Sequence, residues 1–143
     1  KKLDFLVIQG IFHTETAHYA DVILPASSFA EKEGTFINSE RRILRVRKAV
    51  EMPGEAEEDL KIIGKIAERM GYCLGQYRNT RDIFEEIRET APTMAGITYK
   101  RIEQEGLQWP CPSTEHPGTK TLFWDRFSTS HGKGVIIPVE FNG

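Results

Sequence analysis

Cysteine is scarce in this sequence: Cys73 and Cys111 are the only two among 143 residues, far apart and neither in a CxxC pair. That excludes a zinc ribbon or an iron–sulfur cluster built from this chain alone, because both need several closely spaced thiolates. One disulfide is arithmetically possible, but nothing else points to an oxidising compartment, so both read as free thiols in a cytoplasmic protein. No apolar run approaches the roughly 18 residues of a membrane span. A formal net charge of −2 gives no electrostatic reason to expect nucleic acid or an anionic membrane as partner. There is no GxGxxG, no Walker loop, and no nucleophile elbow around Ser27-Ser28, Ser128 or Ser130, so ordinary dinucleotide, P-loop and hydrolase sites are not expected. His13 and His18 lack the three- or four-residue spacing that shares a helix face, and His116 and His131 fall in loops, so no metal site is expected either.

What the sequence does contain is an ordinary soluble composition, 39% hydrophobic and 28% charged. Residues 3–9 (LDFLVIQ) form a nearly continuous apolar run, the pattern of a strand covered on both faces in a parallel sheet. The run stops at Gln9-Gly10. Thr14 then offers a cap for a short helix through Tyr19, with Glu15 in its first turn. Residues 21–24 (DVIL) predict a second buried strand, ended by Pro25. Strand, crossover and strand follow the logic of a doubly wound α/β sheet, in which ligands sit at the carboxyl ends of the strands. Those ends are Gln9-Gly10 and Pro25-Ala26.

Residues 35–37 and 43–50 read as the arms of a β-hairpin, with turn chemistry at Asn38-Ser39-Glu40. Arg42, Arg45, Arg47 and Lys48 make its second arm basic, either as a solvated edge that resists pairing or as a wall facing an anion. A helix is expected over 57–70, with Leu60, Ile63, Ile66, Ala67 and Met70 in one stripe and Gly71 closing it. A second is expected over 81–90, capped by Asn79 or Thr80, with Ile83, Phe84 and Ile87 inward. A third short helix is expected over 99–105. Three prolines make 108–121 an irregular surface segment. Residues 122–127 and 134–141 read as short strands of a β-rich tail leading into a β domain that is not present. The division expected is therefore 1–106, an α/β domain, and 107–143, a linker with the start of a β domain. The chain opens Lys1-Lys2 without an initiator Met and runs straight into a strand rather than a signal peptide, as expected of a piece of a longer polypeptide.

The residues themselves give a binding half-site and no self-contained catalytic constellation. A carboxylate such as Asp59 can accept two hydrogen bonds from the N1–H and exocyclic amine of a guanine, an edge that adenine lacks. It can equally do no more than charge-stabilise the start of its helix.

The ordered set Gln9, Ile11-Phe12, Thr14-Glu15-Thr16-Ala17, Ala20-Asp21-Val22, Leu24-Pro25, Glu31, Gly34-Thr35, Asn38 and Glu40-Arg41-Arg42 resembles the molybdopterin (bis-MGD) oxidoreductases. Pro53-Gly54-Glu55-Ala56 with Asp59, and then Gln108-Trp109-Pro110-Cys111-Pro112 and His116-Pro117-Gly118-Thr119, bring it nearest to formate dehydrogenase catalytic subunits. Gly10 stands where that family usually has an acid, and Leu60 where it commonly has Trp. The resemblance implies a Rossmann-like doubly wound sheet with flanking helices, part of the site for a molybdopterin guanine dinucleotide carrying Mo or W. It assigns Gln9, Gly10, Ala26 and Asp59 to the cofactor, with Thr14, Glu31, Asn38 and Arg41 as support behind them. It also implies two-electron oxidation of formate to carbon dioxide, with the metal ligand and a 4Fe-4S cluster in the missing remainder of the subunit. Electron-transfer subunits are the expected partners, and this chain alone is expected to be inactive. Another bis-MGD enzyme, or a homologous subunit without cofactor, is the alternative that the Gln108–Pro112 motif disfavours. A stand-alone α/β interaction module is disfavoured by the expected β tail.

Overall fold

The computed structural model of the chain describes residues 2–74 and 77–141. Two short strands, β1 (Val7–Gly10) and β2 (Val22–Pro25), pair in parallel, Val7 opposite Val22 and Gly10 opposite Pro25. Leu6 and Asp21 lock the register: the Leu6 N–H donates to the Asp21 carboxylate at 2.7 Å, and the Asp21 N–H returns to the Leu6 carbonyl at 2.8 Å. The crossover is the single 3-10 turn Glu15–Tyr19, whose Ala17 is buried. Thr14 does not cap it by its side chain. Its carbonyl takes the Ala17 N–H instead, at 2.9 Å, which a tight 3-10 turn places within reach.

A second sheet is antiparallel and three-stranded: β3 (Gly34–Ile37), β4 (Arg42–Val46) and β5 (Leu107–Gln108), with β4 central. The expected hairpin is there, but its basic arm is not an edge, because Leu107 and Gln108 pair with Ile43 and Arg42. Asn38 closes the turn, its Oδ1 accepting from the N–H groups of Glu40 (3.0 Å) and Arg42 (2.9 Å).

Two α-helices complete the fold among the described residues, giving a mixed α/β chain with small sheets. In α1 (Asp59–Arg69), Gly71 takes a positive φ of 80° while its N–H reaches the Glu68 carbonyl and the Tyr72 N–H reaches that of Ala67, a glycine-closed C-terminus. The expected stripe does not face a core: Ile63, Ile66 and Met70 are 52%, 44% and 80% exposed, and Ile62 is the buried residue. In α2 (Thr80–Thr90) the cap is Asn79, which accepts from Arg81 and Asp82 N–H groups.

The core lies between β4, α2 and the chain from Ile97 to Cys111. Ile43, Phe84, Ile97, Tyr99, Ile102 and Cys111 are buried there, with Met94, Leu107 and Trp109 packed against them. The expected helix over 99–105 is only a turn. The Thr98 carbonyl accepts from the Arg101 and Ile102 N–H groups, after which the chain leaves for β5. Arg101 instead works as a tie, donating to the carbonyls of Gly96 (2.6 Å) and His116 (2.7 Å). Gly96 is required by close approach: a Cβ there would lie 1.9 Å from the Ser113 carbonyl oxygen. Cys111 is buried, so the proline-rich segment is irregular but not merely draped over the surface.

The expected strands at 122–127 and 134–141 do not form. Phe123 stacks on Phe127 at 4.9 Å, while Ile136, Ile137, Val139 and Phe141 are at least 76% exposed. A strand needs a neighbouring strand to pair with, and the Phe127 N–H closes a turn onto the Gly132 carbonyl at 3.0 Å instead.

Candidate functional site

The carboxyl ends of β1 and β2 lie side by side, and the chain leading into α1 is stitched to them. The Ala26 N–H donates to the Gly10 carbonyl at 3.0 Å. Glu57 then pairs alongside Ala26: its N–H donates to the Pro25 carbonyl at 3.1 Å, and its own carbonyl accepts from Ser27 at 2.9 Å. This backbone stitch sets the first residue of α1, Asp59, beside the strand ends, although it is distant from them in sequence.

Two side-chain donors converge on the Asp59 carboxylate. Gln9 Nε2 donates to Oδ1 at 2.6 Å, and Lys32 Nζ to Oδ2, while the same ammonium reaches the Ser27 carbonyl at 3.2 Å. Glu31 positions Lys32 by completing a capping box on the 3-10 turn Phe29–Glu31, its carboxylate accepting from the Ser28 N–H at 2.8 Å. Gln9, Gly10, Ala26, Ser27, Lys32, Phe36 and Asp59 all line one cavity of about 370 Å³. Partial burial pushes the Asp59 carboxyl up, but the hydrogen bond and charge of Lys32, helped by Gln9, outweigh it and hold the group below its ordinary range. It is therefore an anion and a pure acceptor at neutral pH.

Of the residues expected at a cofactor, the structure brings Gln9, Gly10, Ala26 and Asp59 to this cavity. Glu31 supports it from behind and faces an adjoining one lined by Gly10, Pro25 and Ala56. Thr14 is exposed and apart from the cavity lining. Asn38 and Arg41 serve the other end of the β3–β4 hairpin. Arg41, at φ 64°, donates to the carbonyls of Trp109, Thr119 and Lys120 and so fastens the proline-rich segment. The basic arm is likewise engaged within the chain. Arg45 lies 4.1 Å from the centre of the Tyr99 ring and pairs with Glu103, as does Arg47, and Lys48 pairs with Glu51.

Two residues of the cavity escaped the sequence reading. Lys32 sits in a run of alternating charge that gives no hint of Asp59, and only the fold couples them. Ser27 is 2% exposed, and its hydroxyl has no partner among the described residues, a buried polar group beside a cavity with its hydrogen bond unmade. A wider cleft of about 650 Å³, lined by Leu60, Lys61, Glu68, Cys73 and Tyr77 among others, contains none of the strand-end residues.

A carboxylate offers about four lone-pair positions. Gln9 and Lys32 engage one oxygen each and a backbone hydrogen bond at Asp59 engages the carboxylate as well, so what remains for a ligand is acceptor capacity toward N–H donors. The cavity therefore offers a carboxylate acceptor to a donor-bearing ligand, while among the described residues no group of three or more His, Cys, Asp or Glu could hold a metal ion.

Residues 1–69, which include both parallel strands, the cavity loop and α1, match the molybdopterin oxidoreductase family, and the chain belongs to that family. Named relatives are more particular. The chain is 55% identical over 142 residues to the F420-dependent formate dehydrogenase subunit alpha of Methanocaldococcus jannaschii, covering 99% of this chain and 21% of that protein. It is 48% identical over 143 residues to the F420-dependent formate dehydrogenase 2 subunit alpha of Methanococcus maripaludis, at 98% and 21%. A putative formate dehydrogenase of Staphylococcus haemolyticus is 41% identical over 145 residues, at 99% and 14%. The chain thus spans about a fifth of the length of the first of these relatives. Among the described residues no helix is long and apolar enough to cross a membrane.

Proposed function

We propose that this chain is part of the catalytic subunit of a formate dehydrogenase, and that its strand-end cavity receives the guanine end of a molybdopterin guanine dinucleotide. The observation that carries this reading is the Asp59 carboxylate, ionised, held at its two oxygens by Gln9 and Lys32, and lining the strand-end cavity as an acceptor. In this reading Asp59 accepts from the guanine N1–H and 2-amino group, Gln9 orients the carboxylate, and the backbone at Gly10 and Ala26 lines the nucleotide. Gly10 has ordinary dihedrals, and a Cβ there would come no nearer than 3.7 Å to another group, so the acid usual in the family is missing by side chain and not by lack of room.

The bound cofactor, with Mo or W, supplies the redox chemistry: formate yields carbon dioxide, one proton and two electrons. This chain's residues bind and orient the nucleotide and take no part in that step, so the chain alone is expected to be inactive. The metal ligand and a 4Fe-4S cluster belong, in this proposal, to the rest of the subunit, and separate subunits carry the electrons onward. The two free thiols, one of them exposed, favour a reducing compartment such as the cytoplasm. The parallel pair β1–β2 supports a larger doubly wound sheet, since Val7, Val22 and Ile23 are 44%, 38% and 42% exposed where parallel strands are normally covered on both faces. The 107–143 stretch as a linker toward a further β domain is part of the same proposal, supported by the exposed apolar tail.

The test is a thermal-shift titration of the purified chain with GMP, with AMP as control, repeated on Asp59→Ala. At a hundredfold excess over the dissociation constant, linkage gives about 2.7 kcal/mol of stabilisation. Stabilisation by GMP alone, lost in the variant, supports the reading. Equal response to both nucleotides, or to neither, rejects a preformed guanine site.

A further inference from the structure

We propose that Lys32 is a specificity-determining residue of this cavity: its ammonium donates to the 6-oxo group of the base and so fixes the base with that group toward Lys32 and its 2-amino group toward Gln9. The inference rests on the guanine reading given above and adds to it a second recognition element and an orientation.

The argument is one of hydrogen-bond order along an edge. Guanine presents an acceptor at O6, a donor at N1 and donors at the 2-amino group. Across the cavity the protein presents the Lys32 ammonium, then Asp59 Oδ2, then Asp59 Oδ1 held by Gln9 at 2.6 Å. Donor, acceptor, acceptor is the complement of acceptor, donor, donor, and it fits in one direction only. An ammonium has three protons. One goes to Asp59 and one to the Ser27 carbonyl at 3.2 Å, which leaves the third for a ligand in the cavity that Lys32 lines. Ser27 is itself buried and its hydroxyl unpartnered among the described residues, so Lys32 is tethered at a cavity with polar capacity still unused. Lys32 is also only 25% exposed, and a charged hydrogen bond partly shielded from water discriminates more strongly than one at an open surface. Adenine fails twice, with an amine set against the ammonium and a bare N1 set against the carboxylate.

The test compares affinities of the full chain for GMP, 6-thio-GMP and IMP by titration calorimetry, in wild type, Lys32→Met and Lys32→Arg. 6-thio-GMP keeps N1–H and the 2-amino group but replaces O6 with a weak sulfur acceptor. Wild type is expected to prefer GMP over 6-thio-GMP by about tenfold, the scale of one hydrogen bond to a charged donor. In Lys32→Met this ratio falls to about one, in Lys32→Arg it is retained, and the preference for GMP over IMP survives in both. A Lys32 that only props up Asp59 would weaken GMP and 6-thio-GMP equally, and an unchanged ratio in Lys32→Met overturns the proposal. Absence of GMP preference over AMP in wild type overturns the guanine reading as well, so the two failures are distinguishable. Melting of each unliganded variant reports folding, and Lys32→Gln is the second neutral variant should Lys32→Met fold poorly.

Discussion

Two regions of this chain handle apolar surface in opposite ways. Around Phe84 the protein closes on itself: β4, α2 and the 97–111 chain bury Ile43, Ile97, Ile102 and Cys111 almost completely, and Arg101 ties the surrounding carbonyls together. Around β1 and β2 it stays open, with Phe5, Val7, Ile11, Phe12, Val22 and Ile23 all exposed, and the candidate site lies on this open side. A site assembled at strand ends does not need a finished core beneath it. It needs the backbone stitch between Pro25–Ser27 and Glu57 and the side-chain clamp on Asp59. The difference suggests one region that holds the fold and another that presents a surface for completion.

The contrast can be broken first at the closed end. Phe84→Ala is expected to cost about 3–5 kcal/mol in chemical denaturation, because its ring is 2% exposed and packs on Tyr99 at 5.4 Å. Asn79→Ala removes the cap of α2 and is expected to cost about 1 kcal/mol in the same assay. At the open end, Val22→Thr is expected to cost less than about 0.5 kcal/mol in this chain. If a larger sheet covers β2 in the intact subunit, the same change there costs more than about 1 kcal/mol, which sharpens the comparison into a test of the doubly wound proposal. Gly10→Ala is expected to be nearly neutral, within about 0.5 kcal/mol, since a Cβ at that position meets nothing closer than 3.7 Å.

Acid should also separate the two regions. The Asp59 carboxyl is held below its ordinary value, so its contribution is fully present above roughly pH 4, the unfolded carboxylate value. That contribution is lost as pH falls through the lower folded-state value. Asp59→Asn removes it, and the variant's melting temperature is expected to fall less steeply than that of wild type on acidification below pH 4. Parallel slopes would contradict the clamp.

Local chemistry was the legible part. The strand pair and its ends, the hairpin turn at Asn38, the Asn79 cap and the Gly71 stop all follow from neighbouring residues, and the structure has each within a few positions of its expected place. Asp59 beside Gln9 came from the family resemblance, because no spacing rule joins residues so far apart. What failed to show was long-range. Lys32 reads as surface charge until the fold sets it against Asp59. The turn at 99–102 reads as a helix until Arg101 is seen spent on the carbonyls of Gly96 and His116. The apolar stripe of α1 and the tail beyond residue 121 carry the patterns of packed elements, yet Ile63, Ile66 and Met70 in the one and Ile136, Ile137, Val139 and Phe141 in the other stay exposed.

The most direct test of the account is hydrogen exchange of the purified chain with and without GMP, using AMP as control. The account predicts added protection with GMP at residues 9–10, 26–32 and 57–61, none with AMP, and none in the already closed core from Phe84 to Cys111. Protection that appears equally with AMP, or that centres on the closed core, would contradict it.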